Sequence, residues 1–139
     1  MAISLNRYNE KVEIKYYEPE IIKSGIKKFD INKLYIDTSA IDGINKISDC
    51  DIIKYDKRPS RANMQPTIDS AWFAKKKGSN KKLIITSIDR DLIDDYILST
   101  GFLGIKATHK FPLTLITAIL LQDNFNIHLL YITYLYDII

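Results

Sequence analysis

Apolar and polar residues alternate from Val12 to Tyr17 (V-E-I-K-Y-Y), which predicts a half-exposed strand ended by Glu18-Pro19-Glu20. Ser24-Gly25 is a turn signal. Leu34-Tyr35-Ile36-Asp37 reads as a short strand before the loop Thr38-Ser39-Ala40-Ile41-Asp42-Gly43, and Asp51 to Tyr55 reads as another. The clearest local unit follows. Ala71-Trp72-Phe73-Ala74 and Leu83-Ile84-Ile85-Thr86 are buried-strand patterns, and Gly78-Ser79-Asn80 between them supplies turn residues that tolerate positive φ. Together they predict a β-hairpin with a lysine-rich tip. Ile88 to Leu98 is acidic and mixed and predicts a helical turn, and Phe102 to Ala107 predicts a strand after the Ser99-Thr100-Gly101 turn. Pro112 followed by Leu113 to Leu121 predicts a buried helix with proline at its first turn.

Ile127 to Ile139 is apolar again, with Tyr131, Tyr134 and Tyr136. Gln122, Asp123, Asn124 and Asn126 divide it from the preceding helix, so neither half reaches the roughly 20 apolar residues that a membrane span needs. Leu129 to Ile139 holds one charge, Asp137, and predicts a sticky surface that seeks a partner. The pattern as a whole predicts one mixed α+β domain, with a twisted, mainly antiparallel sheet and C-terminal helices.

At 139 residues the chain is one domain's worth of sequence, with 46% hydrophobic and 27% charged residues, which excludes pervasive disorder. One cysteine, Cys50, excludes an internal disulfide and a cysteine-rich zinc site. The first residues show no secretory pattern, so the expected compartment is the cytoplasm. Net charge is only +3, but its placement is uneven. From Lys54 to Lys82 nine basic residues face two acidic ones, Asp56 and Asp69, for a net of +7, whereas the rest of the chain carries −4. A solvated lysine face on a hairpin is one reading. A polyanion footprint is the other.

Catalytic constellations are sparse. Glu13-Ile14-Lys15 matches the E-x-K fragment of metal-dependent nucleases, but only Glu10 is available upstream as a second carboxylate. Asp89, Asp91, Asp94 and Asp95 lack the glycine and terminal glutamate of a calcium loop. His109 and His128 have no nucleophile motif nearby. Asp49 and Asp51 flank Cys50 and are expected to raise its thiol pKa. No glycine-rich phosphate loop is present.

The stretch Lys57 to Pro66 is unusual, with two arginines, an asparagine and a glutamine between prolines. Arg58, Arg61, Asn63 and Gln65 are the side-chain types that read base edges. Ser60 and the lysines Lys75, Lys76, Lys77, Lys81 and Lys82 suit phosphate contacts. A polar structural loop is the competing reading.

Pro59-Ser60-Arg61-Ala62, Trp72-Phe73-Ala74-Lys75 and Ser99-Thr100-Gly101-Phe102 resemble, in that order, motifs of the target recognition domain of type I restriction-modification specificity subunits. Lys23-Ser24-Gly25 and Tyr35-Ile36-Asp37-Thr38-Ser39-Ala40-Ile41 resemble that domain's N-terminal portion, and the resemblance covers Val12 to Leu121. It implies a non-catalytic module without a cofactor of its own, which binds double-stranded DNA and reads one half of a split site. In that family long helices join two such domains and dock modification (methyltransferase) subunits. These transfer methyl groups from S-adenosylmethionine, and the restriction subunit cleaves. On this reading residues 1–121 are the recognition domain and 122–139 are the start or remnant of a spacer helix, with no second recognition domain following. Two other classes stay open: an interaction fragment that docks a modification subunit without holding DNA, and a small nuclease using Glu13 and Lys15.

Overall fold

The computed structural model describes residues 19–76 and 79–122. The expected strand Val12–Tyr17, the tip residues Lys77 and Gly78, and the apolar segment from Ile127 lie outside the described residues.

Among the described residues ten short strands and two α-helices follow in order. β1 is Glu20–Ile21, β2 Lys33–Ile36, β3 Ile41–Asp42, β4 Lys46–Ile47, β5 Asp51–Ile53 and β6 Ala62–Met64. β7 is Ser70–Ala74, β8 Lys82–Ile85, α1 Arg90–Asp94, β9 Tyr96–Ser99, β10 Phe102–Lys106 and α2 Leu113–Leu120. The mixed α+β class is as expected, but the single sheet is divided. One four-stranded sheet runs β1-β10-β7-β8 and a second runs β5-β2-β9-β6, with β3-β4 as a separate ribbon. Every pairing is antiparallel except that of β2 with β9.

The split explains the buried-strand patterns. A strand covered on one face alternates, and a strand covered on both does not. In β7 all five residues are buried. Ala71 and Phe73 pack with Leu103 and Ile105 of β10 against Phe111 and the α2 stripe Leu115, Ile116, Ile119 and Leu120. Trp72 and Ala74 face the other way and join Ile36, Met64, Leu83, Leu98 and Phe102 in a core shared by both sheets. The far side of the second sheet buries Tyr35, Ile53, Ala62 and Ile97 under Ile26 and Phe29. Pro112 precedes α2 in extended conformation, and its carbonyl accepts from the amides of Leu115 and Ile116. Proline is well suited there because the first helical amides have no partner within the helix.

Trp72 occupies the centre of the shared core. It pairs in register with Gly104, and a Cβ on that glycine would lie 2.5–2.7 Å from the indole ring. The indole Nε1–H donates to Ser70 Oγ at 2.8 Å, so the buried nitrogen is satisfied. Ser70 and Trp72 are both fully buried.

The outer edge of β8 is covered. The β3–β4 turn carries Gly43 and Asn45 at positive φ. Asn45 brackets β8, donating from Nδ2 to the Ile84 carbonyl at 3.0 Å and accepting the Ile84 amide at 2.6 Å. A strand edge closed in this way offers no template for pairing with another chain.

Candidate nucleic-acid interface

The resemblance motifs, scattered over nearly 80 residues of sequence, come together around strand ends and turns of the two sheets. The Gly25 amide donates to the Asn63 carbonyl at 2.7 Å, which joins the Lys23-Ser24-Gly25 segment to β6. The Arg61 carbonyl accepts from the amides of Asn63 and Thr100, at 2.9 and 2.8 Å, which bolts the arginine turn to the β9–β10 turn. The Lys75 amide donates to the Gly101 carbonyl at 2.9 Å, so the end of β7 is tied to the same turn. Finally, Lys81 Nζ donates to the Thr38 carbonyl at 2.7 Å and brings in the Asp37-Thr38-Ser39-Ala40 segment. That segment is itself held by Asp37, whose carboxylate accepts the Thr38 amide at 2.8 Å.

These ties enclose a cleft of about 520 Å³. Arg61, Lys75, Lys76 and Lys81 supply its charge, and Thr38, Ser39, Ser79 and Thr100 supply hydroxyls. Among the described residues no carboxylate lines it. A smaller depression of about 270 Å³ adjoins it through Lys75 and Thr100, with Met64, Phe102 and Ile22 among its walls. Burial lowers the Lys75 pKa below the usual lysine value, and the neighbouring Arg61 charge lowers it further. A cation held beside other cations in part-shielded surroundings is relieved when an anion arrives.

The ten sequence-predicted residues divide. Arg61, Lys75, Lys76 and Lys81 line the cleft. Ser60 is exposed on the turn that the Ala62 amide closes by donating to Pro59. Asn63 lies in β6, half-buried. Arg58 is engaged in the fold: its guanidinium lies 4.1 Å from the centre of the Tyr55 ring. Its Nε and Nη1 donate to the carbonyls of Ala62 and Tyr55 at 3.1 and 2.7 Å. Gln65 Nε2 donates to the carbonyls of Pro66 and Ile93, both at 3.1 Å, and so fastens β6 to α1. Lys82 is half-buried in β8 opposite Phe73, and burial lowers its pKa. Lys77 lies outside the described residues.

Sequence reasoning did not single out Thr38, Ser39, Ser79 or Thr100 as ligand groups. Their signal was their place inside or beside the quoted motifs. Two smaller expectations are refined. Asp89 builds a turn, accepting the Thr86 amide and hydroxyl at 2.7 and 3.0 Å. The Cys50 thiol pKa is raised, with burial as the largest cause and Asp51 and Asp49 following.

No family model and no curated protein matches the chain. Among solved structures it is similar to the HsdS subunit from Thermoanaerobacter tengcongensis, at 22% identity and a TM-score of 0.57. The likeness covers 77% of this chain and 28% of that one, so the chain spans less than a third of that subunit's length. What the two share is a fold: this chain is built like one portion of an HsdS subunit.

Proposed function

We propose that this chain is a sequence-reading DNA-binding module of a type I restriction-modification system, built to read one half-site of double-stranded DNA. The cleft lined by Arg61, Lys75, Lys76 and Lys81, to which the described residues contribute no carboxylate and at which most of the resemblance motifs converge, carries this reading. The HsdS-like fold, that of a type I specificity subunit, supports it.

Lys75, Lys76 and Lys81 neutralise phosphates, and the hydroxyls of Thr38, Ser39 and Thr100 donate to the phosphate oxygens. Arg61 reads a base edge, guanine being its usual bidentate partner. The chain performs no chemistry itself. It directs partner subunits in the cytoplasm, a modification subunit that methylates and, through it, a restriction subunit that cleaves. Residues 1–121 are the recognition domain, and 122–139 are an apolar C-terminal segment, the start or remnant of a spacer helix. Among the described residues no helix is long and apolar enough to cross a membrane.

Duplex binding measured against salt tests the reading. Three cleft lysines neutralising about three phosphates give a slope of log K on log salt of about −2.7, and Lys76→Ala reduces its magnitude by about 0.9 for all sequences alike. Failure to bind duplex DNA at low salt refutes the proposal.

A further inference from the structure

Gly101 is a glycine without a backbone reason. Among the described glycines only Gly25 and Gly43 have positive φ, so the backbone at 101 accepts any L-residue. The reason lies in space. A Cβ at 101 would stand 2.5 Å from Arg61 Nη2, 3.0 Å from Thr38 Cγ2 and 3.3 Å from Ser99 Oγ. The Arg61 guanidinium therefore rests where a side chain at 101 would be.

The turn beneath it has little freedom to yield. The Gly101 amide donates to Ser99 Oγ at 3.0 Å, and its carbonyl accepts the Lys75 amide at 2.9 Å. Ser99 is itself fully buried. The Arg61 backbone is pinned through its carbonyl to the Thr100 and Asn63 amides. With both backbones fixed, what moves when a methyl is added is the end of the arginine side chain.

We propose that Gly101 is a specificity-determining position: its bare Cα is the seat of the Arg61 guanidinium, and that seat fixes the direction in which Arg61 enters the cleft. Gly101 is a positioning residue, which acts on the ligand only through Arg61. The proposal rests on the DNA-binding reading and adds to it that recognition at one base position depends on a residue that donates nothing to DNA. Preorganised donors discriminate because a wrong base leaves them unpaired.

A pool of duplexes with a randomised core is selected on the full chain and sequenced, using wild type, Arg61→Ala, Gly101→Ala and the double variant. Wild type enriches a preferred base at one position. Arg61→Ala loses that enrichment by on the order of tenfold or more. Gly101→Ala loses it at the same position while keeping the wild-type salt slope, and the double variant loses no more than Arg61→Ala alone. Wild-type enrichment retained by Gly101→Ala overturns the proposal, as does enrichment indifferent to Arg61→Ala. In either case salt-dependent binding leaves the DNA-binding reading standing, whereas a wild-type chain that binds no duplex removes both. Thermal melting accompanies the selection. If the double variant, in which no guanidinium opposes the new methyl, melts well below Arg61→Ala, the glycine serves the turn and the proposal fails.

Discussion

Two glycines three residues apart on β10 and its leading turn meet the same steric limit with opposite consequences. A Cβ at either would come within 2.5 Å of a neighbouring atom. At Gly104 the neighbour is the indole of Trp72, buried at 0% exposure between two sheets and tied by its nitrogen to Ser70. At Gly101 it is the free end of a flexible arginine on an exposed turn. Close packing transmits strain where nothing can move, and at a surface strain is relieved by rotation of a side chain. One glycine therefore serves stability, and the other, on the proposal above, serves the direction of Arg61.

The largest expected effect sets the two apart. Gly104→Ala overpacks the shared core and lowers stability by roughly 1–3 kcal/mol or more, while Gly101→Ala, whose closest neighbour is a movable arginine end, costs less. Denaturant unfolding of the two variants measures this, and equal losses would erase the distinction. A smaller effect separates the arginines in the same way. Arg58→Ala removes a stacked guanidinium and two bonds to backbone carbonyls, and should lower stability by about 1–2 kcal/mol. It should alter base preference less than Arg61→Ala does. A loss of base preference as large as that of Arg61→Ala would return Arg58 to the reading surface.

The smallest effect concerns pH. The folded chain holds Lys75 below the lysine value of 10.5, first through burial and then through Arg61. The unfolded chain binds the proton more tightly, so this group's contribution to stability rises as pH climbs from the depressed folded pKa toward 10.5. DNA affinity has the opposite sign, because phosphates favour charged Lys75 and lose that partner over the same window. Affinity should fall on the alkaline side, and Lys75→Arg, whose charge persists there, should flatten the fall. An identical alkaline profile for the variant would show that Lys75 does not meet the phosphates.

Local pattern was legible where one segment decides its own structure. The β7–β8 hairpin, β10 and α2 were each read from their own residues to within about a residue of their ends, and the mid-strand placement of Trp72 and Phe73 predicted their burial. β6 was not legible, because Ala62-Asn63-Met64 lies in a polar, proline-bounded stretch. It becomes a strand only by pairing with β9 and with Gly25. β9 was read as part of a helical turn, since the parallel partner that makes it a strand lies some 60 residues earlier in β2. The candidate site shows the same division. Its charges were visible as a run, whereas the engagement of Arg58 and Gln65 with backbone carbonyls depends on where Tyr55, Ala62 and Ile93 arrive.

The parallel pairing of β2 with β9 also sets an order of events. It joins residues 34–36 to 96–98, and loops of that length close slowly compared with the hairpin at 70–85. The cleft needs Thr38, Arg61, Lys81 and Gly101 in one place, so it waits for that closure. During synthesis the lysines of the hairpin emerge before the Thr100-Gly101 wall of the cleft and before β9, so their charge is present while the cleft is still open. Until Gly101 has left the ribosome and β9 has found β2, the growing chain carries this charge without the finished cleft, and on the proposed reading selectivity among nucleic acids is the last property it acquires.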